Sequence, residues 1–201
     1  MNNFSKIVMA ALAFGGSIST ASAAGVITNI TESGAGLGSF DFNIDEANRA
    51  LDLTKTFDSV NPIVLTFTVE HSTGPGNPYT VAEAVTNNTG QNWADFHYTI
   101  GEPDQGQGVV FTAHNSSTLS GFTLDQSSGP RNLDFTGFQA AGTTSDAAFT
   151  ISPFDPGQGN TMTFTVTQVP TIPEPETYAM LLAGLGLMGV MAKRRNNKQS
   201  A

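Results

Sequence analysis

The stretch Pro62-Ile63-Val64-Leu65-Thr66-Phe67-Thr68-Val69-Glu70 decides the fold. Ile63, Leu65, Phe67 and Val69 fall on one face of an extended chain, and Val64, Thr66, Thr68 and Glu70 on the other. A period of two with one apolar face is the mark of a half-buried β-strand. Residues 162–167 repeat it, with Met162, Phe164 and Val166 separated by threonines. Residues 93–100 set Ala94, Phe96, Tyr98 and Ile100 against Trp93, Asp95, His97 and Thr99.

Weaker strand signals cover residues 51–57, 79–86, 109–113, 121–124, 133–138 and 147–151. Turn chemistry separates them: Gly and Pro at 73–78, Asn87-Asn88-Thr89-Gly90, Asp104-Gln105-Gly106, Ser128-Gly129-Pro130 and Asp155-Pro156-Gly157. Short strands at this spacing predict an all-β fold, an antiparallel β-sandwich of the Ig-like or jelly-roll-like kind. Helix is nearly absent, and residues 44–51 form at most a short turn. Residues 79–101 read as a hairpin turning at 87–90, with Trp93 folding over the core edge.

The two ends of the 201-residue chain differ from the middle. Residues 1–23 read as a secretory signal peptide. Lys6 supplies the positive n-region, residues 7–18 the apolar segment, and Ala21-Ser22-Ala23 a small-x-small cleavage site. Residues 24–169 form the β-sandwich domain, and residues 170–201 a separate tail. That tail holds Pro173-Glu174-Pro175, an apolar run from Tyr178 to Ala192, and the basic cluster Lys193-Arg194-Arg195. As a helix, the run is about 22 Å long at 1.5 Å per residue. It reads as a short single transmembrane helix that needs snorkelling Lys193 and interfacial Tyr178 to fit a core about 30 Å thick. The basic cluster stays cytoplasmic by the positive-inside rule, which puts the sandwich outside, as the signal peptide requires.

The order of a PEP tripeptide, a Gly-rich apolar helix and a terminal basic cluster resembles the PEP-CTERM sorting signal of Gram-negative bacteria. The resemblance covers the tail and none of the domain. It implies an exosortase as processing partner, alongside signal peptidase, with removal of the tail and delivery to the outer surface or extracellular matrix. It also implies an association with bacteria that make exopolysaccharide and form biofilm. The expected sorting and processing residues are therefore Ala21, Ala23, Pro173, Glu174, Pro175, Lys193, Arg194 and Arg195.

Between residues 24 and 172 stand 15 acidic residues and only three basic ones, Arg49, Lys55 and Arg131. Such a surface excludes a nucleic-acid partner, since it cannot displace phosphate counterions. Cysteine is absent, which excludes disulfides and thiolate metal sites. The acids read as a solvated surface. Loops beginning at Asp104 and Asp155 lead into strands, but turn glycines explain them better than calcium binding. The three histidines, His71, His97 and His114, fall in no catalytic motif. Asp95 and His97 share a strand face, where they pair, hold a metal or, as the plainer account, simply face solvent. Trp93, Tyr79 and Tyr98 are core residues on this reading, with a sugar-stacking face as the alternative.

The expectation is a non-enzymatic structural or adhesive surface protein without a cofactor. The alternatives are a secreted polysaccharide-active hydrolase with a non-local carboxylate pair, or a calcium-dependent carbohydrate-binding module.

Overall fold

The computed structural model describes residues 24–74, 76–101, 108–172 and 180–188. Twelve strands build two facing sheets. The first sheet runs, in spatial order, through β1 (Val26–Ser33), β4 (Ile63–Glu70), β12 (Thr161–Thr171), β6 (Trp93–Gly101), β10 (Asn132–Gln139) and β9 (Phe122–Leu124). The second runs through β2 (Leu37–Asp45), β3 (Ala50–Phe57), β5 (Tyr79–Asn87), β11 (Thr144–Ser152) and β7 (Val110–Thr112), and β8 (Thr118–Leu119) also pairs with β11. Neighbours are antiparallel except β3 and β5, which run parallel with Leu53 opposite Glu83 and Lys55 opposite Val85.

The alternation that predicts the strands also builds the core. On β4 the burial strictly alternates, with Ile63, Leu65, Phe67 and Val69 inside. Phe67 lies directly opposite Phe164 of β12, and their rings stack 4.8 Å apart. A chain of aromatic contacts then crosses between the sheets. Phe57 of β3 meets Trp93 and Phe96 of β6, Phe96 meets Tyr98, Tyr98 meets Phe149 of β11, and Phe149 meets Phe111 of β7. Each such pair is worth about 0.5–1.5 kcal/mol beyond its buried area.

The first two strands lack a clean alternation. In β1 a bulge between Ile27 and Asn29 lets Ile27 and Ile30, three apart, both face inward. β2 is the edge of its sheet, and its Phe40, Phe42 and Ile44 are only partly covered. Pro170 sits in the central strand β12, where the ladder to β4 has already stopped at Gln168 opposite Ile63. A residue without an N–H is tolerated there because one side of the strand is no longer paired.

The expected hairpin over residues 79–101 is not formed. β5 belongs to the second sheet and β6 to the first, so residues 88–92 arch from one sheet to the other. Asn87 braces the arch: its Nδ2 donates to the Gln91 carbonyl at 2.8 Å, and its Oδ1 accepts from the Thr89 N–H and hydroxyl. Trp93 is fully buried instead of lying over the core edge. Trp93 and Phe96, three apart on β6, both face inward beside the register shift between Thr136 and Gln139 of β10, and the indole Nε1 donates to Thr89 Oγ1 at 3.2 Å.

In the tail, residues 180–188 are helical, and Met180, Leu181, Leu182, Leu185, Leu187 and Met188 are exposed. The predicted helix spans 178–192, and its remaining residues lie outside the described ones. Among the described residues no helix is long and apolar enough to cross a membrane.

Phe96 touches three other rings at the centre of the aromatic chain. Phe96→Ala is expected to lower the unfolding free energy by about 3–5 kcal/mol, read from urea denaturation.

Candidate functional site

Inward positions of a sandwich strand ordinarily hold apolar side chains, yet four of them here carry polar groups that meet between the sheets. On β3 the inward set is Leu51, Leu53, Lys55 and Phe57, and on β5 it is Tyr79, Val81, Glu83, Val85 and Asn87. From the facing sheet come Gln168 of β12 and Tyr98 of β6, which are register partners. All four side chains are sealed from solvent, with Glu83 at 2 % exposure and Lys55, Gln168 and Tyr98 at 0 %.

The Lys55 ammonium donates to Glu83 Oε1 and to Gln168 Oε1. Gln168 Nε2 donates to the same Glu83 Oε1 at 3.1 Å, and the Tyr98 hydroxyl donates to Glu83 Oε2 at 2.9 Å. Both carboxylate oxygens are thus satisfied, and Oε1 touches the amine and the carboxamide nitrogen at once. The walls are aromatic: Lys55 Nζ lies 6.0 Å from the Phe57 ring centre and 5.7 Å from that of Tyr98. Burial pushes the Lys55 amine down to about 8, against the upward pull of the Glu83 charge and hydrogen bond. Burial first, and then the Glu83 carboxylate, push the Tyr98 phenol well above its usual value. The arrangement holds an amine, a carboxylate and a carboxamide together in a buried cage.

A second polar cluster anchors the start of the described chain. Arg49, at φ 51°, stacks its guanidinium 4.2 Å above the Tyr79 ring. It donates from Nη2 to the carbonyls of Ala24 and Gly25 at 3.1 and 3.0 Å, and from Nη1 to Tyr79 Oη at 3.0 Å. Tyr79 Oη also accepts from the Ile27 N–H at 3.1 Å. Two of the three basic residues of the sandwich are therefore structural. The third, Arg131, also has a partner.

Asp95 and His97 do not pair with each other. His97 Nδ1 meets Asp134 on β10 at 2.8 Å, and Asp95 accepts from Thr171 Oγ1 at 3.2 Å. Asp155 accepts from His71 Nδ1 at 2.9 Å, from the Gly157 N–H at 2.8 Å and from the Ser72 N–H at 3.4 Å. N–H groups face this carboxylate and satisfy its charge. The other loop considered for calcium, at Asp104, lies outside the described residues. Among the described residues no three His, Asp or Glu side chains gather to hold a metal ion. Trp93, Tyr79 and Tyr98 are all fully buried and form no stacking face at the surface. Glu83 likewise departs from the expected solvated acidic surface.

The expected processing residues Ala21, Ala23, Pro173, Glu174, Pro175, Lys193, Arg194 and Arg195 lie outside the described residues. The folded sandwich lies between the two groups. Ala24, 1 % exposed and held by Arg49, follows the predicted signal-peptidase site directly. β12 ends at Thr171, just before the PEP tripeptide.

Residues 171–195 match the PEP-CTERM protein-sorting motif. The chain therefore carries a sorting signal consistent with an exosortase substrate, and the match assigns no family to the sandwich. Neither the comparison with curated proteins nor that with solved structures gives a match.

Burial opposes ionisation of Asp155, but the hydrogen bonds from His71, Gly157 and Ser72 outweigh it and hold the carboxyl below 3.8. A depressed folded-state value contributes stability above the unfolded value and loses it as pH falls through the folded one. Asp155→Asn is therefore expected to lower the thermal midpoint at neutral pH and to flatten its decline below about pH 4, read by calorimetry across an acid series.

Proposed function

We propose that this protein is exported by a Gram-negative bacterium, cut by an exosortase, and deployed at the outer surface or in the extracellular matrix. There it acts without catalysis or a cofactor, as a structural or adhesive component associated with exopolysaccharide or biofilm. The observation that carries the reading is the junction between fold and signal. The sorting match begins at Thr171, the last residue of β12, and β12 lies inside its sheet between β4 and β6.

Removing the tail after this point leaves every strand in place, and retaining it tethers the sandwich by an internal strand. Residues 165–168 of β12, just before the tail, are paired on both sides, and Pro170 and Thr171 stay paired to β6, which makes the strand a firm point of attachment. The exposed apolar residues of the tail helix fit a segment that is placed in lipid until processing. The acidic, nearly base-free sandwich suits solvation beyond the membrane and a neutral or cation-bridged polymer as partner.

The experiment is the intact mass and cell fraction of the protein from its native host, with and without the exosortase. The expected product is a surface or medium species lacking residues 1–23 and the tail, with the tail retained when the exosortase is deleted. A species keeping Lys193-Arg194-Arg195 in the inner membrane of both strains overturns the reading. Mature protein that fails to co-sediment with the host's own polysaccharide overturns the matrix assignment.

A further inference from the structure

We infer that Lys55 and Gln168 are the two ends of an intramolecular isopeptide cross-link between the sheets, formed with Glu83 as proton relay and with loss of ammonia. The inference stands on the buried cage and is independent of how the tail is processed.

The three reacting groups are already in contact. Lys55 Nζ donates to the Gln168 carbonyl oxygen, one bond from the carbon to be attacked, and to the Glu83 carboxylate, and Glu83 Oε1 also accepts from Gln168 Nε2 at 3.1 Å. One oxygen therefore faces both the nucleophile and the group that would leave. The Tyr98 hydroxyl fixes the other oxygen at 2.9 Å. Holding reactants in such geometry converts a slow bimolecular aminolysis into an intramolecular step, and effective molarities reach about 10⁵–10⁸ M when the orientation is right.

The step balances without oxidant, metal or cofactor. The Lys55 ammonium gives one proton to Glu83, leaving amine and carboxylic acid. The Nζ lone pair attacks Gln168 Cδ, forming the Nζ–Cδ bond and a tetrahedral centre. Glu83 protonates Nε2 and then accepts the second Nζ proton. The Cδ–Nε2 bond breaks, and the departing ammonia takes that proton away as ammonium, which returns Glu83 to its carboxylate. A buried amine held near 8 reaches the neutral, attacking form far more readily than an exposed lysine. Glu83 itself is a poorer acceptor, because amide formation there must expel water and consumes the relay.

The link has a mechanical consequence. Gln168 lies near the end of β12 from which the sorting tail leaves, and Lys55 lies on β3 of the facing sheet. Pull on the C-terminal side would pass through a covalent bond into the second sheet before β12 could be drawn out.

The test uses the full chain, purified folded and then denatured for intact mass and tryptic mapping. The expected mass is that of the sequence less one ammonia. Trypsin does not cut at an acylated lysine, so residues 50–131 should remain uncut at Lys55 and be joined to the peptide that begins at Asn132. Glu83→Gln should show the unlinked mass and cleavage after Lys55. Folded wild-type protein at full mass, with normal cleavage at Lys55, overturns the proposal. Loss of one water with the link mapped to Glu83 overturns the choice of Gln168, and a linked Glu83→Gln overturns the relay. If Glu83→Gln does not fold by circular dichroism, the wild-type mass and map decide alone.

Discussion

The contact between Lys55 and Glu83, closed over by Gln168 and Tyr98, is the constraint on which the sandwich depends. A lone charge at that depth is costly enough that it would be neutralised or would open the core. Paired and fully hydrogen-bonded, it becomes tolerable, but only while both sheets keep their registers. Lys55 and Glu83 come from neighbouring parallel strands of one sheet, and Gln168 and Tyr98 from register partners of the other. A one-residue slip of any of the four strands would turn its polar group to solvent and an apolar set with it. The cage thus specifies how the sheets face one another, while the surrounding rings supply most of the cohesion.

Much of this was legible from alternation alone. β4, β12 and the second half of β6 were plain because one apolar face persists over many residues. β1 was hidden because its bulge sets Ile27 and Ile30 three apart, and β2 because an edge strand buries little. The misread hairpin has a different cause: local sequence shows that two strands follow each other, but not that they belong to different sheets. Asn87 and Thr89 hold the arch through side-chain bonds that look, in sequence, like ordinary turn chemistry.

The cage itself left a signal that composition obscured. Lys55 continues the inward series Leu51, Leu53 and Phe57, and Glu83 sits between Val81 and Val85. A charge on the apolar side of an alternating strand needs a partner, and among the described strands Lys55 and Glu83 are the one such base and the one such acid, on neighbouring strands. Composition pools Glu83 with the solvated acids and hides this. Gln168 was harder to place, since nothing local distinguishes an inward glutamine from an outward one. The sorting signal, by contrast, was readable because its chemistry is sequential: rigid prolines, an apolar run and a basic cluster. The sandwich offers no comparable motif, because its distinctive group is assembled from four strands far apart in the chain.

The most direct test of the account is lysine labelling of the native full chain by reductive methylation, mapped by peptide mass. Lys193 and Lys198 of the tail serve as internal controls. Lys55 is predicted to stay unmodified while both controls react, whether its amine is held as an ion pair or has been acylated. Methylation of Lys55 at a rate comparable to the tail lysines in the folded protein would contradict the buried cage, and with it the packing of the two sheets described above.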